Sequence, residues 1–277
     1  ERFIKETKSF VNIFEQQPEV VLVDKHPKYY SSQFGKEIAS EYKSKVYEIQ
    51  HHKAHFAAVL GEHNLLDENN VLGVVWDGTG FGDDGQIWGG EFFKYENKDI
   101  DRVSHFDYFS WIAGDKMSKE PRLSLLSIIE DEKLVEEKFS LEELSIYKTI
   151  KKNNKLKTSS IGRLFDAVAS VLNICDYNSY EGEAAILLEN RIAEYDLSSC
   201  KNYHPNFDND SISGKQIINE IAKDYQRGKP VEAIIANFLF TLASIILDEA
   251  ERQKCTTICC SGGVFQNTTL LDMLTDL

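Results

Sequence analysis

The chain has 277 residues, 42% apolar and 27% charged, enough to bury a sizeable core in one large domain or two lobes. A formal net charge of −14 argues against a nucleic acid as partner, because a phosphate backbone demands a basic face. It leaves nucleotides open, since a few glycine amides and a divalent cation can hold one.

In chain order, the opening ERFIKETKSF carries no signal-peptide pattern. A β-branched run from Val20 to Val23, ending in Asp24, predicts a strand. A polar helix around SSQFGKEIASEYK and a short strand in KVYEIQ follow. QHHKAHFAAVLGEH, residues 50–63, has helix composition and holds four of the seven histidines. Residues 64–70 are the expected seam between lobes. From Val71, VLGVVWDGTGFGDDGQIWGGEFFKYE reads as an apolar strand, a glycine-rich turn and a returning strand from Gln86 to Tyr95. Such a hairpin could present backbone amides to an anion. The middle, roughly 120–195, reads as helical, with KKNNKLK at 151–157 as a solvated loop. A long apolar helix at about 230–252 is interrupted by Asn237, Thr241 and Ser244, which suits a buried helix and not a membrane span. A buried strand CTTICC, the loop SGGVFQN and a short helical run close the chain. Alternating strands and helices predict an α/β fold. Five cysteines without an even framework of spacings suit a reducing cytoplasm. The adjacent Cys259 and Cys260 would face opposite sides of a strand, so they are poorly placed to pair.

His51 and His55, at i and i+4, project from one helix face, the spacing that lets two imidazoles meet one cation. Position 52 is His where the zinc-protease pattern has Glu, so no protease base is supplied. His52 and His63 lie off that face and read as surface or structural residues. Asp77, placed at the end of the apolar strand, is the best third ligand, at the edge where open α/β sheets bind ligands. Turn capping is the plainer alternative for Asp77, Asp83 and Asp84. It accounts less well for four glycines and three aspartates within residues 77–85. In SGGVFQN, Gly262 and Gly263 would let backbone approach a nucleotide, with Ser261 and Asn267 as side-chain contacts. Asp166, in IGRLFDAVA with Gly162, and Glu183, in YEGEAAI, could hold ribose hydroxyls or simply complement helix N-termini. No nucleophilic triad is visible, so in a transferase the nucleophile would belong to the substrate.

Seven blocks in fixed order carry a family resemblance: HPKYYSS, QHHKAH, DGTGFGDDGQIWGGEF, GDKMSKEPR, GRLFDAVA, YEGEAA and SGGVFQN. Together they resemble the hydrogenase maturation carbamoyltransferase HypF family, in its C-terminal carbamoyltransferase domain, which is related to the tRNA threonylcarbamoyladenosine-forming proteins. The resemblance runs from about residue 20 to the end. It implies a two-lobed α/β fold of the actin, sugar kinase and Hsp70 type, here a fragment truncated at both ends. Residues 1–70 would be the C-terminal part of the first lobe with the metal-binding helix. Residues 71–277 would be the second lobe with the nucleotide loops, its C-terminal end and a further metal-ligating aspartate missing. The resemblance also implies a reaction: carbamoyl transfer from carbamoyl-adenylate, made from carbamoyl phosphate and ATP, to the C-terminal cysteine of a HypE-like acceptor. His51, His55 and Asp77 match the family's metal ligands, for zinc or iron, with magnesium accompanying ATP. Ser261, Gly262, Gly263 and Asn267 match its second nucleotide loop, and Gly162, Asp166 and Glu183 lie in segments lining its nucleotide pocket. A small-molecule O-carbamoyltransferase, a tRNA-modifying enzyme and a non-catalytic nucleotide-binding scaffold are the alternatives. No membrane association is expected.

Overall fold

The computed structural model of the chain describes residues 2–131, 133–192, 196–204 and 211–277. Helix α1 (Arg2–Phe14) precedes a β-α-β unit of β1 (Val20–Asp24), α2 (Tyr30–Tyr42) and β2 (Lys45–Ile49). β1 and β2 pair in parallel, Val20 opposite Lys45 through Asp24 opposite Ile49. α2 stops where Lys43 turns left-handed and its N–H caps Ala39 O. Helix α3 (His51–Glu62) then begins at Gln50, whose side chain accepts from Lys53 N at 2.9 Å.

The larger sheet starts with β3 (Val71–Phe81), β4 (Ile87–Glu96), β5 (Asp99–Phe106) and the short β6 (Phe109–Ser110). Helices α4 (Lys116–Lys119), α5 (Pro121–Ile128), α6 (Lys133–Glu136) and α7 (Leu141–Asn153) follow, so the first half of KKNNKLK closes a helix and does not loop. Then come β7 (Lys157–Thr158), α8 (Ile161–Val171), α9 (Glu183–Glu189) and β8 (Ser211–Ile212). Helices α10 (Gly214–Gln226) and α11 (Val231–Gln253), strand β9 (Thr257–Ser261) and helix α12 (Thr268–Asp276) complete the chain. Among the described residues the sheet order is β6-β7-β4-β3-β9, with β5 pairing β4 and β8.

β3 lies between β4, antiparallel, and β9, parallel, and its run VLGVVW is buried on both faces. Leu72, Val74 and Trp76 face the main core with Phe165, Phe238 and Leu242. Val71 and Val75 face the other side, where Phe56 and Leu60 of α3, one turn apart, pack with Trp88, Phe93 and Cys259. The result is three layers, α3 over the sheet over the helices α5, α8, α10 and α11. Cys259 and Cys260 indeed fall on opposite faces of β9, and all five cysteines are free.

α11 is long and apolar enough to cross a membrane, yet it is largely buried inside the fold. Its polar residues are satisfied there: Thr241 Oγ1 donates to Asn237 O at 2.7 Å and accepts from Tyr203 N at 2.8 Å.

One local expectation is corrected. The segment DGTGF is not a turn, since β3 continues to Phe81 and the turn shrinks to the residues around Gly82–Gln86. Pairing breaks after Trp76 opposite Gly90 and resumes at Gly80 opposite Trp88, so Asp77, Gly78 and Thr79 face Gly89 alone. Asp77 therefore sits on a bulge within the strand, the device that re-aims side chains beside sites.

Candidate metal centre and adjoining cleft

The bulge, the first turn of α3 and the end of β9 meet at one point. His51, His55 and Asp77 each offer a ligand atom there, all within 4.8 Å of one another. His51 Nε2 lies 3.5 Å and His55 Nε2 3.8 Å from Asp77 Oδ2. Ligands about 2.0–2.1 Å from one tetrahedral cation stand roughly 3.4 Å apart, so small side-chain adjustments would bring the set around an ion. The outer nitrogens already have partners: His51 Nδ1 meets Asp24 Oδ2 at 2.8 Å, and His55 Nδ1 meets Ser261 Oγ at 3.1 Å. Asp77 Oδ1 accepts from Gly78 N at 2.7 Å, which leaves Oδ2 toward the imidazoles.

The close approach of α3 to β3 depends on Gly80, where a Cβ would fall 2.4 Å from His52 Cε1 and 2.9 Å from His51 Cδ2. The electrostatics treat the two imidazoles differently. The Asp77 hydrogen bond raises the His51 pKa above its ordinary value, against burial and with help from Asp24. Burial, reinforced by His51, lowers that of His55. Burial acts to raise the Asp77 carboxyl, but the hydrogen bonds from His51 and Gly78 outweigh it and the net shift is downward. His52 is fully buried and burial pushes it down to about 3, so it is a neutral structural residue and not a surface one. His63 is exposed at the end of α3.

Beside this centre opens a cleft of about 350 Å³. Four distant sequence segments line it: Asp77 and Gly78, Gly162 to Asp166, Glu181 to Glu189, and Gly263 to Asn267. Past Gly78 and Arg163 it adjoins a hollow of about 470 Å³ bordered by Lys119, Asn178 and Tyr180. Ser160, the N-cap of α8, binds that helix to the bulge by donating to Gly78 O at 2.6 Å while accepting from Arg163 N at 3.2 Å. Arg163 Nε approaches Asp166 Oδ2 to 2.7 Å, yet neither atom has a well-directed hydrogen bond. The pair is thus held by proximity of charge. Burial pushes the Asp166 carboxyl up to about 6, although Arg163 and Asn178 pull the other way. Asn267 caps α12 by accepting from Leu270 N at 2.8 Å, and its buried Nδ2 has no partner among the described residues. An orphaned donor of this kind suits a polar ligand.

Two family models match the chain: the HypF Kae1-like domain over residues 1–62, and the carbamoyltransferase, Kae1-like domain, second subdomain, over residues 73–277. The chain belongs to the HypF carbamoyltransferase family. The match begins at residue 1, earlier than the residue near 20 where the resemblance was expected to start. The carbamoyltransferase HypF of Synechocystis sp. is 30% identical over 94% of this chain and 36% of its own length. That of Rhodobacter capsulatus is 31% identical over 99% of this chain and 37% of its own length. The chain therefore spans little more than a third of these HypF relatives. A crystal structure of full-length HypF in the phosphate- and nucleotide-bound form superposes with TM-score 0.88 at 32% identity, covering 99% of this chain and 44% of that one. HypF of T. kodakarensis superposes with TM-score 0.80 at 27% identity, covering 93% and 36%. The α/β, actin-like fold implied by the resemblance is thus the fold of the HypF Kae1-like region.

The structure sorts the expected nucleotide contacts of the chain. Gly162, Asp166, Gly263 and Asn267 line the cleft. Ser261 does not, because its hydroxyl is turned to His55. Gly262 packs away from the cleft at φ 102°, where a Cβ would lie 2.1 Å from Trp76 O. Glu183 is turned back too, its Oε2 accepting from Ser179 Oγ at 2.8 Å, and Glu181 and Gly182 line the cleft instead. The Ser179–Glu183 contact is local, but it is not a capping box, because the N-cap of α9 is Gly182 and Glu183 is its first residue. Asp24 was read only as the end of a strand and not as a site residue, although a ligand-bearing aspartate would occupy the same kind of position.

Proposed function

We propose that this chain is the carbamoyl-transfer region of a HypF protein, passing a carbamoyl group from carbamoyl-adenylate to the C-terminal cysteine thiol of a HypE-like acceptor. The observation that carries this reading is the meeting of the His51, His55 and Asp77 set with a polar cleft in a member of this family. The donor set fits a divalent ion: two Nε2 atoms face one carboxylate, and each Nδ1 already has an outer partner. Zinc or iron held there would act as a Lewis acid and template for the carbamoyl or phosphate oxygen. Gly162 and Gly263 leave backbone open to the nucleotide, Asn267 Nδ2 donates to it, and Asp166 accepts from ribose hydroxyls. The N-terminus of α8, anchored to the bulge by Ser160, favours the phosphate. In the transfer, a carbon–sulfur bond forms and the carbon–oxygen bond to AMP breaks, its electron pair leaving with AMP. The thiol proton passes to solvent. Carbamoyl phosphate, ATP and its magnesium enter upstream, where the adenylate is made. Five free thiols suit a reducing cytoplasm as the setting.

The test supplies carbamoyl-labelled adenylate and an acceptor protein ending in cysteine to the chain. Label should reach the thiol, and His51→Ala with His55→Ala should abolish transfer. Transfer unchanged in that double variant would sink the metal-centre role. Label on a sugar hydroxyl or on tRNA would replace the acceptor proposed.

A further inference from the structure

We infer that Asp24 is the positioning residue of this centre: its carboxylate holds the His51 imidazole with Nδ1–H outward and Nε2 toward Asp77. The inference rests on the metal-centre reading above and extends it to a residue on a different piece of the fold. Asp24 Oδ2 lies 2.8 Å from His51 Nδ1. The carboxylate is not free to swing, since Oδ1 accepts from His26 N at 2.7 Å and the Asp24 carbonyl accepts from Ser32 Oγ at 2.9 Å. The HPKYYSS turn thereby gains a purpose as the clamp on Asp24. The clamp is itself braced. His26 stacks on Tyr29 with ring centroids 4.0 Å apart and sets its edge against Phe81 at 5.4 Å. Lys25 pairs with Asp83 at 2.5 Å, joining the end of β1 to the turn after β3.

A carboxylate behind an imidazole does two things for a ligand: it selects the tautomer with the inner nitrogen bare, and it makes that nitrogen more basic. Ser261 stands behind His55 in the same position, but a hydroxyl can donate or accept and so selects neither tautomer. Of the two histidines, only His51 has an outer partner that dictates which nitrogen faces inward.

The experiment compares the 277-residue chain with its Asp24→Ala and Asp24→Asn variants. Cobalt(II) uptake is followed by visible absorption and zinc(II) affinity by competition with a chelator. The His51 ring nitrogens are assigned by ¹⁵N NMR in metal-free protein at alkaline pH. Asp24→Ala should weaken zinc binding about 10–100-fold. It should also move His51 away from the Nδ1–H tautomer. Asp24→Asn is isosteric but has one acceptor oxygen; with that oxygen held by His26 N–H, its amide NH2 faces His51 Nδ1. This variant should fold like the parent yet shift His51 to the Nδ1-bare tautomer and weaken zinc binding, which separates positioning from misfolding. Zinc affinity within about twofold of the parent together with an unchanged ¹⁵N pattern in Asp24→Ala would overturn the inference. Should the parent chain itself take up neither metal, the centre fails and this inference fails with it.

Discussion

The β1–β2 ribbon delivers Asp24 at a strand's carboxyl end and the sheet around β3 delivers Asp77 on a bulge, and the two are held in place by opposite means. In the ribbon Leu22 is 65% exposed and Tyr47 51%, and only Val23 of β1 joins Phe34, Ile38 and Ala39 of α2 in burial. In the larger sheet Trp76, Phe92 and Phe93 are fully buried beneath helices on both faces. Asp24 is held at the centre by hydrogen bonds to its carboxylate, each worth about 1.5–3 kcal/mol, beside an exposed ion pair worth about 1 kcal/mol or less. Asp77 and Ser261 reach it on strands fixed by apolar packing. Precision at a site can come from either source, and here one aspartate depends on each.

Truncating the packed side should show the largest effects. Phe92→Ala should cost about 3–5 kcal/mol in urea unfolding, whereas Leu22→Ala should stay within about 0.5 kcal/mol. A comparable loss for Leu22→Ala would mean that the outer face of the ribbon is covered in solution, and the contrast would collapse. Gly262→Ala should cost about 3 kcal/mol or more, since the new Cβ meets Trp76 O and the left-handed backbone is strained as well. It should also displace Ser261 from His55, read as weaker zinc binding.

The cleft sharpens the comparison through pH. Asp166 titrates near 3.8 unfolded and about 6 folded, so the folded state binds the extra proton between those values. Its contribution is fully present below about pH 3.8 and is lost as pH rises through 6. Two pH units at roughly 1.4 kcal/mol each make that loss on the order of 3 kcal/mol. In Asp166→Asn, unfolding free energies at pH 4 and pH 7 should converge by that order, and an unchanged difference would show Asp166 to be an ordinary ionised carboxylate. The smallest effect belongs to Gly61→Ala on the open side of α3, where a Cβ meets nothing within 4 Å. It should add about 0.5–1 kcal/mol of stability by helix propensity alone, leaving zinc binding untouched.

Much of the centre was legible beforehand because its signals are local. The i, i+4 spacing of His51 and His55 requires only a helix, and the VLGVVW run requires only a buried strand leading to Asp77, although that strand runs on past Asp77 as a bulge instead of ending there. The glycines of DGTGF misled at short range, reading as a turn where the chain makes a bulge, because bulge and turn demand the same residue types. Glu183 and Ser261 were assigned to the cleft by motif; Glu183 turned to Ser179, a neighbour four residues back, and Ser261 to His55, a partner that only three-dimensional packing could offer.

By itself, then, the sequence determined the elements, the histidine pair and the family, since periodicity, spacing and motif order are properties of neighbouring residues. The tertiary structure decided which carboxylates do what. Asp24 lies 27 positions from His51, and Ser261 lies 206 from His55. Side chains so far apart along the chain meet only because strand ends converge, and the direction of a single hydrogen bond then separates a residue behind the imidazole from one lining the cleft.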